Sequence, residues 1–312
     1  MKEVKPMFSK KHNRLQAKEN LAGYSFVAPA LICFFLFMAF PFFLTLILSF
    51  FDFNFLKVKK LAKLAKYLKF IGFENFTDMF KDRRFMQSIL NTAIYAITTV
   101  PASIIIGLAL AYVMHSNIHC KKLLRLAFFI PYISSIVALG AVFKFLFRED
   151  GLVNNFLMAL NLVSEPVKWS VDPAVSKIPI ILLVIWTSLG YVLIIYMAAI
   201  ENVPKSLYEA ATIDGAGSFT QFMKITVPLI SPTTFYLIIV RMIAVFKIFS
   251  SVNVFTMGSS ITSNTSIVQE IYSSAFTQYE HGYASAQSVV LLAIILIITA
   301  INFWGQKKWV HY

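Results

Sequence analysis

Six apolar runs, at about 24–51, 88–115, 122–147, 177–200, 228–250 and 285–304, occupy most of this chain. Each is long enough to cross a hydrocarbon core about 30 Å thick, which takes roughly 20 helical residues. Lipid offers no hydrogen bonds, so a segment buried in it must satisfy its own backbone. A membrane barrel would show short alternating strands instead. Charged residues make up only 14% of the chain and hydrophobic ones 58%, which excludes an ordinary soluble domain. The expected fold class is all-α, a polytopic membrane bundle of six transmembrane helices. The first run is too long for a signal-peptide core and lacks a clear cleavage site, so it is expected to stay as an anchor.

Prolines recur in or beside the spans (Pro29, Pro41, Pro101, Pro131, Pro179, Pro228, Pro232), as membrane helices tolerate. No repeat of 20 to 50 residues and no convincing inverted repeat is visible. Cys33 and Cys120 are too few and too far apart for a disulfide framework or a zinc site. A net charge of +13 would point a soluble protein toward nucleic acid, but here the basic residues flank apolar spans, where they anchor to membrane lipid. No nucleic-acid partner is expected.

With the N-terminus inside, the inner segments hold 13 Lys and Arg and the outer segments 12, nearly a tie under the positive-inside rule. Nine of the outer ones fall between Lys57 and Arg84, and without that loop the count is 13 against 3. Both termini are therefore expected in the cytoplasm. The exceptional loop contains KVKKLAKLAKYLKF (57–70), in which Leu61, Leu64, Ala65 and Leu68 share a helical face among lysines. It reads as a basic amphipathic helix on a membrane surface. It could serve lipid anchoring alone, or attract an acidic solute or partner.

A polar interruption, EAATIDGAGSFTQFMKITVPL (209–229), separates two of the most apolar runs. Pro204 suits a first helical turn, and Ser206–Asp214 can wind as a short helix with Leu207, Ala210 and Ala211 on one face. Gly215 and Gly217 end it in a turn, and Ser218 with Gln221 forms a capping-box pattern ahead of Phe219, Phe222 and Met223. The segment is a helix–turn–helix elbow on the cytoplasmic side, either an ordinary loop or a docking element.

Glu209-Ala210-Ala211, Gly215, Ile225 and Pro228 stand at the spacing of the cytoplasmic signature of permease subunits of binding-protein-dependent ABC importers, with Val227 where leucine is usual. Asp214-Gly215-Ala216 resembles the carbohydrate branch, the type of the larger maltose-permease subunit and its six-span relatives. FFIPYISS (128–135), EDGLVN (149–154), KWSVDP (168–173), WTSLGY (186–191) and GYASAQS (282–288) extend the resemblance, which runs from about Asn91 to the C-terminal end. The resemblance implies a type I importer permease. The spans and charges divide the chain into a basic tail (1–20), a first helix with the basic outer loop (21–87), a core (88–304) with the elbow at 201–227, and a short tail (305–312).

By the same resemblance the elbow is a coupling helix seated on a separate cytoplasmic ABC ATPase, with Glu209, Ala210, Ala211, Asp214, Gly215 and Gly217 as its residues. The implied partners are a second permease subunit, two ATPase copies and an extracytoplasmic solute-binding protein. No GxxxxGK[ST] stretch occurs, so the chain is not itself the P-loop ATPase; ATP and Mg belong to the partner, and this chain is expected to hold no cofactor or metal and to be no enzyme. The implied location is the bacterial cytoplasmic membrane.

A charged residue within a span is a functional candidate because it is costly in lipid. Arg241 lies mid-span, whereas Lys144 and Lys247 lie near span ends and can snorkel. The resemblance places sugar contacts at Trp186, Leu189, Gly190 and Leu193 and at Arg241, Val245 and Ile248, each set at helical spacing. Trp186 with Gly190 suits a ring stacked over a close backbone. Arg241 with the basic loop suggests an acidic sugar; otherwise it pairs with a carbonyl or with an acidic group of the second permease. Asn91, Thr92, Ser134, Ser135, Thr299 and Asn302 read as helix-packing groups. The five histidines show no metal spacing, and no nucleophile–base pair is suggested. An importer of another polar solute, such as glycerol phosphate or an amino acid, and a non-ABC secondary transporter are the alternatives.

Overall fold

The computed structural model describes residues 8–57, 67–115, 121–256, 262–307 and 309–310. Most of the basic amphipathic segment expected at 57–70, including Leu61, Leu64 and Ala65, lies outside the described residues. Helix α1 (Phe8–Phe34) runs through a π turn (Phe35–Ala39) into α2 (Phe40–Leu48). Pro41 has no N–H to donate, and the turn ahead of it widens. A short hairpin of β1 (Phe51–Asp52) and β2 (Lys69–Phe70) leads to α3 (Glu74–Lys81) and the long α4 (Arg83–His115). Next come α5 (Lys121–Ile133), α6 (Ile136–Leu146), α7 (Leu152–Ala159) and α8 (Ile178–Glu201).

The elbow consists of α9 (Lys205–Ile213), α10 (Ser218–Gln221), a π turn (Phe222–Thr226) and α11 (Val227–Leu229). The chain ends with α12 (Ser231–Phe246), α13 (Ser250–Thr256), α14 (Ile267–Tyr272) and α15 (His281–Gln306). Among the described residues, five helical stretches are long and apolar enough to cross a membrane: Glu19–Leu48, Arg83–His115, Ile178–Glu201, Ser231–Thr256 and His281–Gln306.

The sixth expected span is not continuous. α5 and α6 meet at 98°, so the uninterrupted helix read at 122–147 is corrected to a broken pair. Pro131 removes one donor, the Ser134 hydroxyl donates back to the Ile130 carbonyl at 2.7 Å, and Ser135 is extended. α6 then packs on α13 rather than continuing the line of α5.

The centre of the bundle is the α4–α8 pair. Tyr95, Val100, Ile104 and Ala111 of α4 meet Ile180, Leu183, Val192 and Tyr196 of α8, with Leu237 and Val245 of α12 closing the cluster. Lipid tails are as apolar as these side chains, so packing and internal hydrogen bonds must supply the specificity. One buried polar set does this at one end of the bundle. Asn91 donates to Thr265 O (3.0 Å), Tyr95 to Asn264 O (2.9 Å) and the Ile267 amide to Thr92 Oγ1 (3.0 Å). Asn264 and Ser176 exchange two further bonds. Thr299 and Asn302 bond to carbonyls within their own helix.

The stretches EDGLVN and KWSVDP meet at one side chain. Asn154 donates to the carbonyls of Arg148, Glu149 and Val167 and accepts from the Val167 amide and from Trp169 Nε1, at 3.0 to 3.2 Å.

Candidate functional site

The elbow is closed by a left-handed residue. Gly215 has φ of 77°, its amide donates to Thr212 O at 3.0 Å, and the Ala216 amide reaches Ala211 O at 2.8 Å, the paired bonds of a Schellman ending. A side chain at that φ would crowd the backbone, which is why glycine stands there. The expected capping box is corrected. Gly217 occupies the N-cap position of α10, and Ser218 is the first helical residue. Gln221 instead donates to Ala216 O and Thr212 Oγ1, both at 3.0 Å, and so ties α10 to α9.

The back of the elbow is fastened to the bundle. Tyr112 of α4 donates to Ser218 O at 2.8 Å with its ring 4.4 Å from Phe222, and within the elbow Tyr208 and Thr226 share a hydrogen bond of 2.8 Å. A cleft of about 540 Å³ opens beside these groups, lined by Tyr112, His115, Lys205, Tyr208, Glu209 and Gln221. The front is bare: Leu207, Ala210 and Ile213 form one exposed row, with Ile213 at 88% and Phe219 at 76% exposure. Glu209, Asp214, Gly215 and Gly217 are exposed, whereas Ala211 is half-buried on the side of Tyr208. The sequence face of Leu207, Ala210 and Ala211 thus rotates by one step, giving up Ala211 and gaining Ile213.

Inside the bundle the expected pathway residues divide. Leu189, Leu193, Val245 and Ile248 are buried in the chain's own core. Gly190 leaves no room for a ring over its backbone, because a Cβ there would meet Phe128 O at 2.5 Å and Phe129 Cα at 2.9 Å. Its small size seats α5 against α8. Trp186 is exposed and stacks on Phe143, with centroids 5.5 Å apart and planes at 28°. Lys144 donates to Val254 O at 3.5 Å, and Lys247 is exposed at the end of α12.

Arg241 is half-buried, and no hydrogen bond or ion pair joins it to another described residue; its Nε is fully buried. It lies within electrostatic reach of the Tyr132 and Tyr191 hydroxyls. Those two rings stack 5.6 Å apart, and the Tyr191 hydroxyl pairs with that of Tyr236 at 3.0 Å. Sequence reasoning missed all three tyrosines as site residues, although Tyr132 stands in FFIPYISS and Tyr191 in WTSLGY. Among the described residues no group of three or more His, Cys, Asp or Glu could hold a metal ion.

The chain is 30% identical over 306 residues to the lactose transport system permease protein LacF of Rhizobium radiobacter, covering 97% of this chain and 99% of that one. It is 32% identical over 229 residues to the sulfoquinovosyl glycerol transport system permease protein SmoG of Agrobacterium fabrum, covering 73% and 74%. Its fold matches a chain in the crystal structure of a bacterial ABC transporter involved in the import of the acidic polysaccharide alginate, with a TM-score of 0.77, 22% identity, and coverage of 95% and 99%. Residues 83–309 match the family of binding-protein-dependent transport system inner membrane components. The chain is a multi-pass membrane permease and belongs to that family.

Proposed function

We propose that this permease carries a sugar or oligosaccharide inward as one of two permease subunits of an ABC importer. Two copies of a cytoplasmic ATPase supply the energy from ATP and Mg, and an extracytoplasmic solute-binding protein delivers the substrate. Both termini and the elbow face the cytoplasm. The observation that carries this reading is the elbow itself. Tyr112 holds it from behind and the bonds of Tyr208 and Gln221 stiffen it internally, while Leu207, Ala210, Ile213 and Phe219 stand uncovered. Bare apolar groups held by a rigid support suit a protein partner. The relatives named above, transporting lactose and sulfoquinovosyl glycerol, support the saccharide class.

Closure of the ATPase pair would swing the braced elbow as a lever and exchange outward- and inward-open states of the bundle. Glu209 offers its carboxylate to a basic group of the ATPase, and Ala210 permits close approach. Trp186 and Arg241 are the two pathway candidates that are not enclosed in the core. The test is uptake into proteoliposomes holding the two permeases and the ATPase, with the binding protein outside. ATP-dependent saccharide uptake is expected; uptake driven by a proton gradient without the ATPase would overturn the reading.

A further inference from the structure

We propose that Arg241, Tyr132, Tyr191 and Tyr236 form an anion subsite for the carboxylate of an acidic saccharide passing through the bundle. The inference rests on the saccharide-import reading above. Arg241 lies ten residues beyond Ser231, about 15 Å along the helix axis, which sets it deep in the bilayer and away from lipid phosphates. A guanidinium at that depth without a counter-ion is costly. Among the described residues no acidic side chain pairs with it and no carbonyl accepts from it. The position therefore holds a positive charge that no described residue neutralises.

What surrounds that charge is specific. Tyr132 arrives from the last turn of α5, where the chain breaks toward α6; Tyr191 comes from the middle of α8 and Tyr236 from α12. Tyr132 and Tyr191 thus bring phenol groups from two other helices toward one cation, and the Tyr191 hydroxyl carries the hydrogen bonding on to Tyr236. Tyr132 and Tyr236 are each nearly half exposed, so the cluster opens to the surface of this chain rather than into its core. Guanidinium forks bind carboxylates through two charge-assisted bonds, and phenol hydroxyls donate to the same or neighbouring oxygens. The ring faces supply an apolar floor for the C–H face of a pyranose. A carboxylate presented by the substrate would neutralise Arg241 only while the solute is in transit, which favours passage over permanent pairing.

The test uses the complete assembly in proteoliposomes with its binding protein outside, and two probes of equal size: trigalacturonate and galactotriose. The permease substitution leaves the binding protein unchanged, so its own preference cancels between variants. Arg241→Gln is expected to lower trigalacturonate uptake about tenfold or more, the loss of a charge-assisted pair, with a much smaller change for galactotriose. Arg241→Lys should restore part of the acidic uptake, and Tyr236→Phe should lower it several-fold. Co-purification of all subunits shows that each variant is assembled. Equal loss for both probes, or none, overturns the subsite and leaves saccharide import standing. Loss of the second permease from Arg241→Gln assemblies, with preference unchanged, assigns Arg241 to an ion pair between subunits and also overturns it. Absence of ATP-dependent uptake of either probe by an intact wild-type assembly overturns the import reading together with the subsite.

Discussion

The hydroxyl of Tyr112, near the end of α4, donates to the carbonyl of Ser218 at 2.8 Å across 106 residues of sequence. This bond and the Tyr112–Phe222 ring contact join the central helix of the bundle to the elbow. Tyr112→Phe keeps the ring and removes one hydrogen bond, worth about 1 kcal/mol. The expected result is a looser elbow: fewer solute molecules carried per ATP hydrolysed, with assembly intact. Uptake and ATP hydrolysis measured in the same proteoliposomes give that ratio.

Gly215 carries φ of 77°, and nothing stands within 4 Å of where its Cβ would be. The cost of Gly215→Ala is therefore conformational and comes to about 1–2 kcal/mol. The Schellman bonds to Ala211 and Thr212 should weaken, and ATPase retained through affinity purification should fall. Ala216→Gly serves as the control and should retain the ATPase.

At Gly190 the argument is steric. Alanine there would press on Phe128 O and Phe129 Cα, both backbone atoms that cannot rotate away. Overpacking of this kind costs about 1–3 kcal/mol. Gly190→Ala is expected to lower the melting temperature of the detergent-solubilised permease, and Gly190→Leu to abolish its accumulation in the membrane.

Removing the Asn264 side chain takes from Ser176 its bonds of 2.7 and 3.2 Å and leaves its hydroxyl only the Pro173 carbonyl at 3.5 Å. Buried groups left unpaired cost about 1–3 kcal/mol each. Asn264→Ala should lower the melting temperature, while Asn155→Ala, at an exposed helical position, should leave it nearly unchanged.

Glu270 is buried beside α4 and α15; burial first, and then the Asp82 carboxylate, push its pKa above the ordinary carboxylate range, with Arg84 opposing. Between the unfolded and the raised folded pKa the folded protein binds more protons, so stability falls as pH rises through that window. Its contribution is complete below the unfolded pKa and lost above the folded one. Glu270→Gln should flatten the decline, which melting curves from acid to neutral pH would record.

Much of the candidate coupling site was legible in the sequence because its determinants are local. Pro204, the EAA triplet, Gly215 and the apolar positions after it lie within one short stretch, and the helix, the turn and the second helix formed where their spacing placed them. The error there was also local. Ser218 and Gln221 have the residue types of a capping box, but Gly217 took the cap, which freed Gln221 to reach Thr212. The interior face was less legible. Helical spacing set Trp186, Leu189, Gly190 and Leu193 on one face, but it could not say that Leu189 and Leu193 turn into the core and Gly190 onto α5 while Trp186 stays exposed.

The sequence by itself determined that the chain crosses a membrane as helices, because hydrocarbon thickness and backbone self-satisfaction act on each run of residues alone. It also determined where the bundle is interrupted by an elbow. The tertiary structure alone decided that α5 and α6 break at 98°, that Phe128 and Phe129 fill the space at Gly190, and that Tyr132 and Tyr191 come within electrostatic reach of Arg241 while Tyr191 pairs with Tyr236. These depend on how helices rotate and cross. In lipid no gradient of hydrophobicity fixes that rotation, so close packing and scarce polar contacts between distant residues set it.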